Sequence, residues 1–485
     1  MTAAGFAGLA PCVHCGFCLQ SCPTFLVTGD ESDSPRGRIV LMRALERGDL
    51  DASDPTLQLH LDRCLGCRAC EPVCPSGVAY GGALEQARAM ITARRPTSLI
   101  ARLVLAVMAD PLIRRPAMLL ARLVRPLARW LAGGSRIGFS FGMLGSTVQG
   151  ARYKVQGSAP APFTLHPAPT EGEPVVVFEG CIMSGLFSHV NDATARTLAA
   201  NGYDLKPAPQ QGCCGALHAH AGEHEEALSL ARANVRAFAG TGGAPIAVNS
   251  AGCGAMLKDY GRLLAADPAA SEARAFSARV RDVTELLAAR GPRAGARLEV
   301  NVAYDAPCHL LHAQRVADPP VAVLDAIPGL TRVPYAESDV CCGSAGIYSL
   351  LEPEMSRAVL ARKTAALLAS GADIVATGNP GCVMQIGAGL RAAGREMSVV
   401  HPVELLDRSY AAAGFYAELE RAGDVGRRPA GPVRREPGGS TGRPGRGFAL
   451  GCGGGGGRGP AGGCQRTGRG DVHPGIDHQR SRGAR

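Results

Sequence analysis

The sequence predicts an α/β protein with a helical module at its amino end and a low-complexity segment at its carboxyl end. Three observations predict this organisation. Cysteines gather in two dense motifs before residue 75, and a second cysteine pattern occurs twice between residues 166 and 415. In that second region short β-branched runs alternate with Ala-rich helical stretches, which is typical of parallel α/β units.

The composition is that of a globular protein with an unusual distribution of charge. The 485 residues suffice for two to four domains, and 46% of them are hydrophobic. The formal net charge of +9 resides in residues 421–485, which hold 13 Arg and 4 acidic residues. The rest of the chain is neutral, so we expect no nucleic-acid partner.

The 18 cysteines of the chain indicate a reducing compartment. Residues 1–10 lack the basic segment of a secretory signal, and no window approaches the ~18 apolar residues of a membrane span. Patterned cysteines in such a protein usually form metal or redox sites. We therefore expect a cytoplasmic location.

Two copies of the spacing C-x2-C-x2-C-x3-C-P occur near the amino end. The first copy is Cys12, Cys15, Cys18 and Cys22 followed by Pro23, and the second is Cys64, Cys67, Cys70 and Cys74 followed by Pro75. In this spacing three cysteines hold one 4Fe–4S cluster, and the fourth, which starts a helix, reaches the other cluster. The spacing thus predicts a helical ferredoxin domain with two 4Fe–4S clusters.

The ligands of each cluster follow from the same spacing. We expect cluster I to be held by Cys12, Cys15, Cys18 and Cys74, and cluster II by Cys22, Cys64, Cys67 and Cys70. Gly16 and Gly66 allow backbone amides to approach the sulfur atoms. Structural zinc sites are the alternative, but they typically use separated C-x2-C pairs.

The segment between the motifs is long and predicts helices over residues 39–47 and 55–61. It resembles the helical ferredoxin module of respiratory dehydrogenase iron–sulfur subunits. Arg36 and Arg38 open the first helix in the sequence Ser-Pro-Arg-Gly-Arg. They either dock an acidic partner, tune a nearby cluster, or form a solvated helix start.

The region from residue 166 to residue 415 contains an internal repeat. Its cysteines are Cys181, Cys213, Cys214 and Cys253 in the first copy, and Cys308, Cys341, Cys342 and Cys382 in the second, 127 to 129 residues later. We predict strands over residues 174–178, 245–248, 300–304 and 373–376. Four of the cysteines follow these strands at the edge where open α/β sheets bind ligands, so each set should converge on one rim.

Both cysteine pairs are followed by Gly and resemble the CCG domain of heterodisulfide reductase B subunits, whose paired cysteines bind an iron–sulfur cluster. The closing C-x-x-C is absent, because Cys253 is followed by Gly-Ala-Met and Cys382 by Val-Met-Gln. Four cysteines per repeat remain as ligands for an additional cluster, with reduced structural cysteines as the alternative. We assign no role to the nearby histidines, which are His218, His220, His224, His309 and His312.

Residues 98–130 form a basic, apolar segment in which Asp110 is the single acid. Its prolines are Pro111, Pro116 and Pro126, and we expect them to divide the segment into short helices. Three interpretations of this segment stay open: it lies on anionic lipid, it docks another subunit, or it covers the ferredoxin module.

Five segments summarise the predicted organisation. They are a helical ferredoxin domain (1–95), a basic amphipathic helical linker (96–165), a first CCG repeat (166–290), a second CCG repeat (291–415) and a disordered Gly/Arg/Pro-rich tail (421–485). Cys452 and Cys464 in the tail show no ligand-like spacing. The tail is either a functionless extension or a Gly/Arg nucleic-acid-binding segment.

Over residues 8–415 the ordered motifs resemble the glycolate oxidase (glycolate dehydrogenase) iron–sulfur subunit family, including the segments 34–38 and 401–406. The resemblance implies that a partner FAD subunit oxidises glycolate to glyoxylate, while this chain relays single electrons towards a membrane quinone. The sequence itself agrees with this division of roles. The main body has no dinucleotide-binding fingerprint and no paired-carboxylate site, so we predict no catalytic residue in this chain. A quinone acceptor and the basic segment of residues 98–130 together fit a peripheral place at the inner face of the cell membrane.

Three alternatives stay open at this point. They are the iron–sulfur subunit of anaerobic glycerol-3-phosphate dehydrogenase, a heterodisulfide-reductase-like thiol redox enzyme, and a zinc scaffold without redox function. The sequence does not distinguish glycolate from another 2-hydroxy acid. It also leaves open the immediate electron acceptor and the stoichiometry of the complex.

Overall fold

The amino-terminal module consists of short helices separated by cysteine-containing loops. The computed structural model of the protein describes residues 6–133, 136–146 and 172–417. The helices of the module are α1 (Pro23–Thr28), α2 (Pro35–Arg47), α3 (Pro55–Asp62) and α4 (Tyr80–Arg94), with 3-10 turns at Ala7–Leu9 and Glu31–Asp33. The two helices predicted between the cysteine motifs are present as α2 and α3.

Local capping fixes where α2 and α3 begin. The side-chain oxygens of Ser34 and Asp54 accept hydrogen bonds from backbone amides of the first turn, and a proline occupies the first helical position in both. The helices then bury Met42, Leu57 and Leu61 completely. A small apolar core thus holds the cysteine loops in place.

Three helices follow the module, namely α5 (Leu99–Ala109), α6 (Pro111–Leu131) and α7 (Arg136–Gly145). The expectation that proline divides this segment is correct only at Pro111. Helix α6 continues through Pro116 and Pro126. Each proline removes one backbone donor, but α6 packs along α7 and Arg122 Nε donates to the carbonyl oxygen of Gly185 at 2.7 Å. Among the described helices none is long and apolar enough to cross a membrane.

The repeat region contains two four-stranded parallel sheets. The strands of the first are β1 (Glu173–Phe178), β2 (Tyr203–Lys206), β3 (Ile246–Val248) and β4 (Val280–Asp282), and those of the second are β5 (Val300–Tyr304), β6 (Leu330–Arg332), β7 (Ile374–Ala376) and β8 (Ser398–Val400). The spatial orders are β2-β1-β3-β4 and β6-β5-β7-β8. The equal strand orders confirm the repeat and the α/β fold class predicted from the cysteines.

Helices connect the strands in both repeats. The first repeat contains α8 (Cys181–Gly185), α9 (Ser188–Ala200), α10 (Ala216–His220), α11 (His224–Ala237), α12 (Ala251–Lys258), α13 (Tyr260–Leu263), α14 (Ala270–Arg279) and α15 (Val283–Arg290), with a 3-10 turn at Ala239–Thr241. The second contains a π-helical turn (His309–Ala313), α16 (Asp318–Asp325), α17 (Tyr348–Leu351), α18 (Pro353–Ala369), α19 (Pro380–Ala392) and α20 (Pro402–Ala412).

The two repeats share one core and meet at their rims. Buried residues of both sheets, among them Val175 and Val302, belong to a single apolar cluster. The amide of Ala251 donates to the carbonyl oxygen of Gly378 at 3.1 Å, which joins the β3–α12 corner to the β7–α19 corner. The predicted domain boundaries at residues 95, 165, 290 and 415 remain predictions. The predicted tail (421–485), with Cys452 and Cys464, lies outside the described residues.

Candidate iron–sulfur centres

The two ferredoxin-type cysteine loops adopt the same backbone conformation. In the first loop φ is +55° at His14 and +87° at Gly16, and in the second it is +63° at Gly66 and +61° at Arg68. These are the same two positions relative to the first cysteine of each motif. A residue other than glycine at positive φ destabilises the fold by about 1–2 kcal/mol, so His14 and Arg68 each make the loop conformation energetically unfavourable by this amount. Such turns direct backbone amides into a common concavity that suits an anionic group.

Site I is a small pocket lined by four cysteines from both motifs. They are Cys12, Cys15, Cys18 and Cys74, and Cys70 also reaches its wall. Burial and the neighbouring thiols Cys12 and Cys22 raise the pKa of Cys18 to about 11. The structure therefore brings together the cysteines that the spacing predicts for cluster I.

Site II is a second pocket, lined by the remaining four cysteines of the motifs. They are Cys22, Cys64, Cys67 and Cys70. The Tyr80 hydroxyl donates a hydrogen bond to Cys64 Sγ at 3.6 Å. Burial, together with the adjacent thiols, raises the pKa of Cys67 and of Cys70 well above the ordinary value. Four close thiols, two of them buried and two partly buried, cannot all ionise unless a cation lies among them, which fits a metal centre.

Arg38 is a fully buried cation in the wall of site II. Its Nη1 lies 3.9 Å from Cys22 Sγ, and its Nη2 lies 3.2 Å from Asp33 Oδ1. Burial by itself would lower the pKa of Arg38, but the anionic forms of Cys64, Tyr80, Cys22 and Asp33 raise it above the ordinary value. Arg38 thus stays charged and faces a centre made of thiolates.

Arg36 occupies a different environment from Arg38, although only one residue separates them. Its side chain is one-third exposed and forms an ion pair with Glu31 at 2.8 Å. Its Nη1 donates to the backbone carbonyl of His14 at 3.2 Å, beside site I. Of the interpretations open for these two arginines, a solvated helix start is wrong for Arg38.

Cys64 differs from Cys67 and Cys70, because its surroundings in site II favour the thiolate form. Burial opposes ionisation of Cys64, yet Arg38 and Arg88 lower the pKa of its thiol below the ordinary value. Thiolate is the form that binds metal. Positive charge and a hydroxyl donor around the sulfur atoms are what an anionic iron–sulfur cluster requires, so the residues of site II fit such a cluster.

The fourth cysteine of each motif behaves differently in the two copies. Cys22 caps α1, with Pro23 at the first helical position, as expected. Cys74 is followed by a turn instead, and the next helix begins at Tyr80. The expected helix start is therefore correct for the first motif and wrong for the second.

Each CCG repeat gathers its four cysteines into a tetrad at the carboxyl edge of its sheet. The first tetrad is Cys181, Cys213, Cys214 and Cys253, and the second tetrad is Cys308, Cys341, Cys342 and Cys382. The Sγ atoms of Cys214 and Cys253 lie 3.3 Å apart, and those of Cys308 and Cys341 lie 3.8 Å apart. In both tetrads the first cysteine of the pair contacts the cysteine after the first strand, and the second contacts the remaining one.

The glycine that follows each cysteine pair has a conformational reason. Gly215 and Gly343 both have φ of +84°. A Cβ atom on Gly343 would lie 2.6 Å from the carbonyl oxygen of Ser356. The Gly343 amide donates to Cys341 Sγ at 3.4 Å. The Cys-Cys-Gly triplet thus encodes a tight turn that presents both thiols to the rim.

Both tetrads line one cavity, which we call the inter-repeat cavity. Its volume is about 350 Å³, and all eight cysteines of the repeats contribute to its wall. Helices α5 and α7 cover it with Val104, Met108, Met143 and Leu144. Among the described residues that line it, none is Lys, Arg, Asp or Glu.

Site II and the second tetrad are in direct contact. Cys67 and Cys308 both pack against one apolar cluster, which contains Leu65 and Cys341. The His309 ring shares a hydrogen bond with the carbonyl oxygen of Gly66 at 3.1 Å. The cysteine sites of the ferredoxin module therefore continue without a gap into those of the repeats.

Three of the histidines left without a role lie at these sites. Hydrogen bonds from Cys181 and Cys214 hold the pKa of the Cys213 thiol well below its ordinary value. The buried His218 contributes a further, smaller lowering through its own hydrogen bond to this sulfur. The ring centroids of His220 and His309 lie 5.3 Å apart. Their signal in the sequence is their position within seven residues after a cysteine. By contrast, His224 is exposed.

A buried ion pair lies close to the second tetrad and is not predicted by any sequence motif. Lys363 Nζ lies 2.6 Å from Asp305 Oδ1, and both side chains are almost completely buried. Asp305 also accepts hydrogen bonds from Tyr335 at 2.9 Å and from Thr377 at 3.0 Å. These residues are far apart in the sequence, so no local pattern reveals them.

The fold and these sites define an iron–sulfur protein with a ferredoxin-type dicluster module and two cysteine-rich repeats. The model of the 4Fe–4S dicluster domain matches residues 8–78, and that of the cysteine-rich domain matches residues 175–258 and 302–387. The dicluster domain carries 4Fe–4S clusters, and the two domain types together indicate iron–sulfur clusters as the cofactors of this chain.

Comparison with known proteins supplies the family. The chain is 36% identical to the probable glycolate oxidase iron–sulfur subunit of Bacillus subtilis over 421 residues, covering 84% of this chain and 94% of the relative. It is 33% identical to the glycolate oxidase iron–sulfur subunit of Escherichia coli over 412 residues, covering 83% and 94%. Lactate utilization protein A of Exiguobacterium is 29% identical over 236 residues, which is 48% of this chain and 96% of that protein. The chain belongs to the glycolate oxidase iron–sulfur subunit family.

Proposed function

We propose that this chain is the electron-transfer subunit of a multi-subunit glycolate dehydrogenase. Partner FAD subunits oxidise glycolate to glyoxylate, and this chain passes the electrons one at a time towards a quinone. The observation that carries the proposal is the shared apolar cluster against which Cys67 and Cys308 both pack, together with the hydrogen bond between His309 and Gly66, because these join the ferredoxin module to the second repeat. Relatives named as glycolate oxidase iron–sulfur subunits support the choice of donor.

The cysteines have separate parts in this proposal. Cluster I is held by Cys12, Cys15, Cys18 and Cys74, cluster II by Cys22, Cys64, Cys67 and Cys70, and the two tetrads hold further iron–sulfur centres. A bound 4Fe–4S cluster supplies one-electron chemistry. The chain contributes by excluding water, by holding the thiolates at fixed positions, and by placing Arg38 beside the more deeply buried site.

The inter-repeat cavity supports an electron-transfer role for this chain. Its described wall contains no cation that would pair with the carboxylate of glycolate. Burying such an anion without a partner costs several kcal/mol at least. The oxidation of the 2-hydroxy acid therefore belongs to the partner subunit.

We further propose that the protein acts at the cytoplasmic face of the cell membrane. Helices α5 and α6 expose Leu99, Leu112, Leu123 and Trp130, the last to 88%. Arg102 and Arg115 lie exposed on the same helices. Exposed apolar side chains between arginines are typical of helices that lie on anionic lipid.

Anaerobic purification with the flavin partner tests the proposed function. Iron and sulfide analysis measures how many centres form, and rapid reduction by glycolate measures whether they receive electrons. We expect cluster reduction only when partner and glycolate are both present. Lactate and glycerol 3-phosphate serve as competing donors, since relatives named lactate utilization protein A share part of this sequence. Faster reduction with either of them would overturn the choice of glycolate.

Lipid contact is tested separately by sedimentation with vesicles. We expect the protein to bind vesicles that contain anionic lipid, and Leu123→Asp to weaken binding because it buries a charge in the lipid interface. Leu368→Asp, on the exposed side of α18, is the matched control. Equal binding by both variants would contradict a lipid contact through α6.

A further inference from the structure

A separate cavity lies where the ferredoxin module meets both repeats, and we call it the junction cavity. Its volume is about 340 Å³, at the lower end of the range found for small-molecule sites. Its wall consists of residues from the end of α4, from α10 and from α17, with Ser98 just before α5. Among the described cysteines only Cys64 reaches this wall. Because one thiol cannot hold an iron–sulfur cluster, this space is not part of the centres described above, but it borders site II, which Cys64 also lines.

The charged groups of the wall favour a neutral ligand. Arg88 is buried, and its guanidinium group donates to four backbone carbonyl oxygens at distances between 2.5 and 3.3 Å. Arg95 is paired with Asp62. Both cations are therefore already engaged within the protein, and the carboxylates of Asp62 and Glu352 would repel an anion in the cavity.

The rest of the wall combines apolar side chains with a few polar groups. Leu65, Ile91 and Leu351 supply apolar surface. Ser98 Oγ accepts a hydrogen bond from the backbone amide of Ala101 at 3.3 Å, so the proton of its hydroxyl group is available to a ligand. A neutral molecule with carbonyl groups on an apolar ring matches this combination.

Glu352 is a carboxyl group of the wall that has no fixed partner. It is half-buried, and no other described residue forms a hydrogen bond with its side chain. Burial and the charge of Asp62 raise the pKa of Glu352, and the charges of Arg63 and Arg95 oppose this only in part. A carboxyl group with a raised pKa holds and transfers a proton closer to neutral pH than an ordinary one does. Glu352 is thus suited to give a proton to a ligand in the cavity.

The rim of the junction cavity adjoins an exposed apolar surface, which is a second and independent observation. Leu351 lines the cavity and is 41% exposed, so the cavity opens to the surface of the described chain. Ser98 lines the cavity where α5 begins, and the apolar residues that follow on this helix, Leu99, Ile100 and Leu103, are exposed to between 65% and 80%. A ligand with a long apolar tail can place its head group in the cavity and its tail along α5.

We propose that the junction cavity is the site at which an isoprenoid quinone is reduced, with Glu352 as the donor of one proton; the proposal rests on the proposed function. The quinone takes up two electrons and two protons, so both ring carbonyls become hydroxyls. The electrons come from the oxidation of the 2-hydroxy acid in the partner subunit and arrive singly by way of site II, which borders the cavity at Cys64. Water supplies the second proton and returns to Glu352 the proton that it gives. The two protons released by the oxidation balance the two that are taken up.

Photolabelling of the anaerobic holoprotein tests where the quinone binds. The probe is a short-chain azidoquinone, which needs no turnover, and the labelled residues are identified by mass spectrometry. We expect label within residues 95–98 and at residues 351–352, and loss of this label when an unlabelled short-chain quinone competes. Label confined to residues outside the wall of the junction cavity, or label that the competitor does not displace, would overturn the site.

Two variants that fill the junction cavity extend the test to turnover. Ala221→Trp and Leu351→Trp change different parts of its wall, and Leu368→Trp on α18 is the exposed control. We expect both cavity variants to lower photolabelling and the rate of quinone reduction roughly tenfold or more, because the added ring occupies the space of the ligand. Ferricyanide, which accepts electrons at the surface, should be reduced at the parental rate.

Replacing Glu352 with glutamine separates proton donation from binding. Glu352→Gln keeps the size of the side chain but removes its acidic proton, so we expect quinone reduction to slow roughly tenfold or more while photolabelling persists. Glu354→Gln, which changes an exposed carboxylate in the first turn of α18, is the matched control. A parental rate of quinone reduction in Glu352→Gln would overturn the part assigned to Glu352.

The outcomes separate this inference from the function on which it rests. Loss of quinone reduction in the cavity variants, with ferricyanide reduction retained, supports the site. Quinone reduction and photolabelling that both persist in the two cavity variants overturn the site and leave the electron-transfer role intact. If the unchanged complex reduces neither quinone nor ferricyanide with glycolate, the proposed function fails, and the quinone site fails with it.

Discussion

Replacing Arg38 with glutamine tests how the chain controls the reduction potential of site II. The substitution removes a buried positive charge beside Cys22 and Cys64 while it retains hydrogen-bonding capacity. A reduced cluster carries one more negative charge than an oxidised one, so loss of the cation disfavours reduction. We expect the potential of the site II cluster to become more negative in Arg38→Gln.

The size of the shift follows from Coulomb's law. Arg38 Nη1 lies 3.9 Å from Cys22 Sγ, and the added electron is spread over a group beyond that sulfur. At about 6–8 Å and an effective dielectric constant of about 20, one charge contributes about 2–3 kcal/mol. This corresponds to roughly 90–120 mV for a one-electron centre, since about 59 mV is a tenfold change.

Redox titration followed by electron paramagnetic resonance measures this shift. Arg36→Gln is the matched control, because Arg36 is one-third exposed and already paired with Glu31. Exposed pairs contribute about 0.2–1 kcal/mol, so the control should shift neither cluster by more than about 40 mV. Arg38→Lys keeps the charge and should restore most of the potential. An unchanged site II potential in Arg38→Gln with full iron content would refute the electrostatic reasoning.

Three further predictions concern other parts of the chain. Cys341→Ser should lower the iron content through loss of the second-tetrad centre while sites I and II keep their resonance signals, and full iron content would contradict a centre there. Burial raises the pKa of Asp282 to about 6, so the free energy of unfolding of the parental protein should fall as pH rises from about 4 to about 6. The free energy of unfolding of Asp282→Asn should be higher than the parental value by up to roughly 3 kcal/mol above that pH range, and equal to it below. Urea unfolding at each pH measures the difference. Deletion of residues 421–485 should leave iron content and glycolate-dependent reduction unchanged, and a loss of either would assign the tail a role.

The central strands of both sheets could be predicted from the sequence, whereas the edge strands could not. Strands β1, β3, β5 and β7 occupy the middle of each sheet and are mainly apolar, with Asn301 interrupting β5 and Glu173 preceding the apolar run of β1. The edge strand β6 consists of Leu330, Thr331 and Arg332, two of which are exposed. Strand β6 buries little apolar surface, so its pattern does not differ from that of a loop, and the edge strands β4 and β8 are only three residues long.

The cysteine sites followed from spacing, but the residues around them did not. Motif spacing predicts which thiols gather because each loop is local in the sequence. The sequence allows three interpretations of Arg38, because the burial of this side chain depends on contacts with α3 and with Asp33. Such contacts cannot be predicted from the helical periodicity of α2. The continuity of α6 through Pro116 was missed for a similar reason, since the packing against α7 decides it.

The most direct measurement of the central claim is the reduction of the iron–sulfur centres in anaerobically prepared protein, with and without its flavin partner. Dithionite should bleach the visible absorption of the isolated chain, and glycolate should do so only after the partner is added. An iron-free chain, or centres that glycolate reduces in the chain alone, would contradict the account of this protein as an electron-transfer subunit.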